Sequence, residues 1–211
     1  MLRISLVQAL RYFKLLHMTP ERYNRMLSVI KNRQTNLTVV MENVNDPHNI
    51  SAVMRTCDAV GIQDIYILNT KIAKHDYFGV KSSSSAAKWL TVHHFNNVQE
   101  CFTALRKNYN KIYTTHLSSD AVSLYDIDFT DSVALVFGNE HDGVSQESID
   151  LADGNFIIPQ LGFIKSLNIS VACAVSIYEA HRQKMAAGHY KEQTMSTDRQ
   201  ESLLANWCSD D

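Results

Sequence analysis

The chain has 211 residues, 45% hydrophobic and 20% charged, with a formal net charge of −2, which suits a single globular domain with a real core. No apolar run approaches the roughly 18 residues needed to span a bilayer, so a membrane partner is not expected. The four cysteines, at positions 57, 101, 173 and 208, have neither C-x-x-C spacing nor the density of a disulfide framework, and a reducing, cytoplasmic setting is expected. The nine histidines include no pair at zinc-ligand spacing, and no metal site is expected.

Residues 1–17 set Arg3, Arg11 and Lys14 among apolar residues with no small-residue cleavage site after them; they read as an N-terminal helical extension. A helix is predicted over residues 20–33, with Tyr23, Met26, Leu27 and Ile30 at helical spacing, and a short β-branched strand over Leu37–Met41. Asp46-Pro47 is a helix start signal, because the Asp side chain caps free amides and proline fits the first turn. The helix that follows places Ile50, Val53, Met54, Cys57 and Val60 on one stripe and stops at Gly61. A strand at Ile65–Leu68, a polar loop through Lys81–Ser85 and a strand near Leu90–His93 come next. Then follow a helix over about residues 97–107 and a strand at Lys111–Thr115. Val133–Phe137 is an uninterrupted apolar run, as a strand buried on both faces requires. One more strand is predicted at residues 156–158, and then a helix from Ile169 to Ala187 that is apolar on almost every side and reads as a core or subunit-interface element.

This alternation predicts an α/β fold built on a doubly wound parallel sheet, one domain over residues 18–190 with residues 191–211 as an acidic tail. That tail holds Lys191 and Arg199 against Glu192, Asp198, Glu201, Asp210 and Asp211. By contrast, residues 1–40 hold Arg3, Arg11, Lys14, Arg22, Arg25, Lys31 and Arg33 against Glu21 alone. Such asymmetry is either a solvated helix face or a basic grip on phosphates attached to an acidic body.

An ordinary dinucleotide or ATP site requires glycines so that backbone can approach pyrophosphate. The seven glycines here contain no G-x-G pair and no G-x-x-x-x-G-K, which excludes nicotinamide, flavin and P-loop readings and leaves room for a ligand without phosphates. Three segments interrupt apolar runs where a strand hands over to a helix, the edge at which open α/β sheets bind ligands. They are Asp46-Pro47-His48-Asn49 leading to Arg55, Phe137-Gly138-Asn139-Glu140-His141-Asp142-Gly143, and Ile158-Pro159 through Ser166-Leu167-Asn168.

In this order and spacing the three segments resemble the signature motifs of the SPOUT RNA methyltransferases, in particular the TrmH branch of tRNA guanosine ribose 2'-O-methyltransferases, over roughly Met18–Tyr190. The resemblance implies a deep C-terminal trefoil knot, S-adenosylmethionine as cofactor and a homodimer. The implied reaction is methyl transfer to the ribose 2'-hydroxyl of a tRNA guanosine, position 18 of the D-loop. Thr115, Gly138, Ile158 and Leu167 match positions lining the cofactor pocket, although each alone is also a turn or core residue. Arg55, Asn49, Glu140, Ser166 and Asn168 match catalytic positions, with Glu140 equally able to cap a helix start and Ser166 and Asn168 able to cap the long last helix. Arg55 lies opposite the apolar stripe of its helix at about 100° per residue. A guanidinium deprotonates only above about pH 12.5, so Arg55 is expected to hold phosphate and stabilise a developing 2'-alkoxide rather than act as a base. Arg22, Arg25, Lys31 and Arg33 are the candidate RNA-binding residues.

Family members acting on tRNA usually continue into a further supporting helical segment, whereas the tail here is acidic. Ribosomal RNA therefore stays an alternative substrate. A catalytically inactive knotted RNA-binding module and a flavodoxin-like binder of a small ligand are the rival readings.

Overall fold

The computed structural model describes residues 18–72, 86–191 and 194–209. The expected N-terminal extension and the loop Lys81–Ser85 lie outside them.

Helix α1 (Pro20–Lys31) opens on Thr19, whose hydroxyl accepts the Arg22 amide, and buries Met26 and Ile30. Strand β1 (Leu37–Glu42) is buried throughout. Helix α2 (Pro47–Ala59) begins as the sequence predicts, with Asp46 Oδ1 accepting the His48 amide at 2.8 Å and Pro47 in the first turn. It ends at Gly61, whose φ of +86° is the left-handed region glycine tolerates. A Cβ at Gly61 would also stand 2.5 Å from the Asn32 carbonyl oxygen.

Strand β2 (Asp64–Leu68), the single turn α3 (Ala86–Trp89) and β3 (Thr91–Phe95) complete one side of the sheet. Helix α4 (Val98–Arg106), capped by Asn97, leads to β4 (Lys111–Thr115), the two-residue β5 (Val122–Ser123) and β6 (Val133–Phe137). Helix α5 (Gln146–Leu151), β7 (Gly154–Ile157), α6 (Ile169–Ala186) and α7 (Thr197–Ser209) follow.

The seven strands are parallel, in the order β3-β2-β1-β6-β4-β7-β5. Alternate strand residues feed two cores, as the two-residue period demands. Val39, Met41, Leu135 and Phe137 pack with Ile50, Val53 and Met54 of α2 and Cys173 and Ile177 of α6. Val40, Ala134 and Val136 pack on the other face with Val98, Phe102 and Leu105 of α4. The sheet is therefore doubly wound, and its strands β1, β2 and β6 are buried on both faces.

One expectation needs correction. The segment after Tyr190, expected as an acidic tail beyond the domain, packs on it: α7 sets Leu203, Trp207 and Cys208 against Met26 and Ile30 of α1. Arg199 of α7 pairs with Asp64 at the start of β2. The acidic composition of the segment obscured its buried stripe, and β5 and α5 were too short to register as periodic patterns. Helix α6, expected as a core or subunit-interface element, has two distinct sides. It buries Ile169, Cys173, Ile177 and Ala180 while leaving Val171 47%, Tyr178 51% and Met185 51% exposed on its outer face.

Candidate active site

Because all strands run the same way, every strand exit lies along one edge, and β1, β6, β4 and β7 are successive neighbours. The Asp46–Asn49 segment leaves β1, the Gly138–Gly143 segment leaves β6, Thr115 ends β4, and Ile158 follows β7. Segments far apart in sequence thus meet where helix amino ends and strand carboxyl ends converge.

The β6 exit folds around Asn139. Its side-chain oxygen accepts the amides of His141 and Asp142 at 2.9 and 2.8 Å, and its backbone carbonyl accepts the Gly143 amide at 3.1 Å. A Cβ on Gly138 would stand 2.0 Å from the Gly143 carbonyl carbon, so the turn closes only on glycine here. Gly143 has φ of +68° and nothing within 4 Å of where a Cβ would be, an open backbone surface against which a flat ligand can lie.

This turn sends Glu140 outward to α2. Asn49 Nδ2 donates to Glu140 Oε1 at 2.6 Å, and Asn49 Oδ1 accepts from Asn168 Nδ2 at 3.1 Å. Asn168 also caps α6, accepting the Ser170 amide at 2.8 Å, so capping and network roles coexist in one side chain. Glu140 caps no helix; Ser145 caps α5. Three of the five expected catalytic residues form one hydrogen-bonded chain joining all three segments. Ser166 lies two residues before Asn168 on an exposed loop, and Arg55 stands on the exposed face of α2, about 9 Å along the helix axis from Asn49 at 1.5 Å rise per residue.

Of the expected cofactor residues, Gly138 is buried, Thr115 and Ile158 are half-buried, and Leu167 is 37% exposed. Thr115 Oγ1 donates to the Val136 carbonyl at 3.2 Å, tying the end of β4 to β6. Ile158 packs on the core that holds α2 and α6. Between them Leu161 and Phe163 are fully exposed and Ile164 is 70% exposed. Open backbone, half-buried aliphatics and the lack of a glycine-rich phosphate loop fit an adenosyl group bearing no phosphate. The thiols supply no nucleophile: all four cysteines are buried and free, and burial pushes Cys101 up to about 12 and Cys173 well above its ordinary value.

The basic α1 is divided. Arg22, Arg25 and Lys31 are exposed, but Arg33 is not an RNA ligand: its side chain is fully buried. Its guanidinium donates to Asp58 Oδ1 at 2.6 Å and to the carbonyls of Ile62 and Trp89, each at 3.2 Å, and lies 5.3 Å over the Trp207 ring. Burial pulls its pKa down, partly offset by Asp58. Arg33 ties α1 to α2, α3 and α7, and charge count alone could not separate it from its exposed neighbours.

Two grooves lie away from this edge. One of about 540 Å³ runs between Arg25, Asn32, Val60, His181, Met185 and Tyr190; the other, of about 590 Å³, is bordered by Asp64, Tyr66, His93, Lys107, Tyr109 and Arg199. Gly138, Ile158 and Leu167 line neither. Sequence reading also missed Asn139, whose side chain shapes the turn behind Glu140; an Asn three residues before Asp-Gly is the signal for such a turn.

Residues 36–178 match the profile of the SpoU rRNA Methylase family. The chain is 38% identical over 189 residues to the tRNA (guanosine(18)-2'-O)-methyltransferase of Thermus thermophilus, covering 90% of this chain and 96% of that protein. It superposes on the A. aeolicus TrmH/SpoU tRNA modifying enzyme with a TM-score of 0.81 at 34% identity, over 90% of this chain and 95% of that one. The methyltransferase AviRb from Streptomyces viridochromogenes, solved in complex with AdoMet, aligns with a TM-score of 0.62 at 25% identity, over 74% of this chain and 59% of that one. The three joined segments all fall inside the matched span, and the chain belongs to the SpoU rRNA methylase family.

Proposed function

We propose that this protein is an enzyme that transfers a methyl group from S-adenosylmethionine to the ribose 2'-hydroxyl of guanosine 18 in tRNA, acting as a cytoplasmic homodimer. The observation that carries the reading is the chain Asn168–Asn49–Glu140, which locks the three segments together at one sheet edge. The near-complete length match to a tRNA-acting relative supports tRNA over ribosomal RNA. Among the described residues, no helix is long and apolar enough to cross a membrane.

S-adenosylmethionine, when bound, supplies an electrophilic methyl on a sulfonium. Gly138 and Gly143 offer backbone to it, while Thr115, Ile158 and Leu167 border its adenosyl portion. The methionine portion is held by the segment between β7 and α6, which in this reading threads a knot over about residues 133–180. Asn49 and Asn168 keep Glu140 oriented at the rim, and Ser166 adds a hydroxyl beside them. Arg55 holds a phosphate and stabilises charge developing on the 2'-oxygen, so that the proton leaves late or to solvent. Arg22, Arg25 and Lys31 contact the RNA backbone; about three such contacts give a log–log salt slope near −2 to −3.

The outer face of α6 supports the dimer. Val171, Ala174, Tyr178, His181 and Met185 recur at alternating intervals of three and four residues, the seam pattern of two packed helices, and its Val, Tyr and Met members are about half exposed.

Incubating the protein with labelled S-adenosylmethionine and separate tRNA and rRNA pools, followed by mass-spectrometric mapping of 2'-O-methyl groups, tests the reading. Label on tRNA guanosine 18 is the expected result. Label confined to rRNA moves the substrate, and cofactor binding without transfer replaces the enzyme with an inactive RNA-binding module.

A further inference from the structure

At the end of β1, two consecutive residues reach to opposite sides. Glu42, fully buried, accepts the Ser145 amide at 3.3 Å through Oε2 and so holds the far end of the β6 exit, the loop that carries Glu140. Asn43 reaches the other way, to the exit of β2. Its Oδ1 accepts the amides of Thr70 and Lys71, each at 2.9 Å, and its Nδ2 donates to Thr70 Oγ1 at 3.0 Å. Its backbone amide continues the ladder to the Leu68 carbonyl at 2.8 Å.

Asn43 is 4% exposed and is the one non-glycine at positive φ, 51°, among the described residues. That conformation is uncommon for L-residues and is best tolerated by Asn and Asp. Strain of this kind persists where surrounding contacts over-determine it, and it clusters at functional sites. Here the bent backbone aims the amide side chain at two successive N–H groups of the neighbouring strand's exit.

The consequence is the placement of Lys71. Its Cα is fixed through its own amide, and its Nζ lies 3.7 Å from Asp142 Oδ2 on the Glu140 loop. Both side chains are more than 60% exposed, and an ion pair that open is weak because solvent screens it. Asp142 therefore orients the ammonium without sequestering it. An RNA strand that brings a ribose to the Asn49–Glu140 edge carries a phosphate on either side of that ribose, and these need a cation near the rim.

We propose that Asn43 is a positioning residue that holds Lys71 at the rim of the transfer site as a contact for a phosphate of the RNA substrate. The inference rests on the RNA methyl-transfer reading and deepens it.

The test compares Lys71→Gln, Asn43→Gly and Asn43→Asp in the full chain, by tRNA binding across a salt series and by transfer kinetics. Glycine keeps the backbone conformation and removes the side chain; aspartate keeps the acceptor for the two amides. Lys71→Gln is expected to make the log–log salt slope shallower by about one and to raise KM for tRNA about five-fold, with a smaller change in kcat. Asn43→Gly is expected to raise the same KM with the cofactor KM unchanged, and Asn43→Asp to fall between it and the parent. An unchanged salt slope in Lys71→Gln overturns the phosphate contact. A parental tRNA KM in Asn43→Gly, or Asn43→Asp no better than Asn43→Gly, overturns the positioning role. Absence of transfer by the parent protein overturns the methyl-transfer reading instead, and the binding series still reads Lys71 separately.

Discussion

Asn168 joins two jobs across 119 residues of chain: its Oδ1 caps α6 through the Ser170 amide, while its Nδ2 donates to Asn49 at 3.1 Å. Asn49 in turn has no freedom to flip, because its Nδ2 is committed to Glu140 at 2.6 Å. Each amide is oriented by what the next one needs, so the chain has a direction that ends on a carboxylate.

Replacing Asn49 by Asp sets a carboxylate against Glu140 and deletes the donor between them. The expected outcome is a drop in kcat of about 10- to 100-fold, about 1.4–2.8 kcal/mol, with cofactor affinity within a few-fold of the parent. Steady-state kinetics together with calorimetric titration of S-adenosylmethionine check it.

Arg55→Lys keeps the charge and loses the planar fork. If the guanidinium stabilises the 2'-oxygen, kcat falls about 10- to 100-fold while the shape of the pH–rate profile is retained. A profile displaced by several pH units would instead identify residue 55 as the base.

Arg33 and Arg25, both in the basic segment, are expected to fail differently. Arg33→Ala removes a fully buried guanidinium from the carbonyls of Ile62 and Trp89 and from the half-buried Asp58, and costs about 2–3 kcal/mol of stability, measurable by denaturant titration, with no change in salt slope for the molecules that stay folded. Arg25→Gln leaves stability within about 0.5 kcal/mol and makes the salt slope shallower by about one.

Lys184 of α6 is fully buried, with Nζ donating to the Asp131 carbonyl at 3.0 Å. Burial brings its pKa down from 10.5 to about 8, against the opposing pull of Asp131 and Asp128. A lysine with a lowered folded pKa binds fewer protons folded than unfolded between those values, so its contribution to stability rises with pH across that window. Below about pH 8 the buried charge is a standing cost. Lys184→Met is therefore expected to stabilise the protein most at neutral pH, and its advantage should shrink as pH climbs from about 8 toward 10.5. Thermal melts at pH 7, 9 and 10.5 read this directly.

What was legible in the chain by itself was local and periodic. The caps at Asp46 and Pro47, the stop at Gly61, the apolar run Val133–Phe137 and the spacing of the three motifs were all readable, because propensity and hydrophobic period act over a few residues. Tertiary packing decided the rest. Arg33 and Arg25 are the same residue type on one basic stretch, and only the approach of Asp58, Trp89 and Trp207 made the first a core tie. The tail is acidic in composition, yet Leu203 and Trp207 found a partner in Met26 and Ile30. Asn43, Thr70 and Lys71 became one unit because β1 and β2 lie side by side. Such contacts join residues far apart in sequence, and which atoms meet depends on strand order and register, which no local pattern encodes.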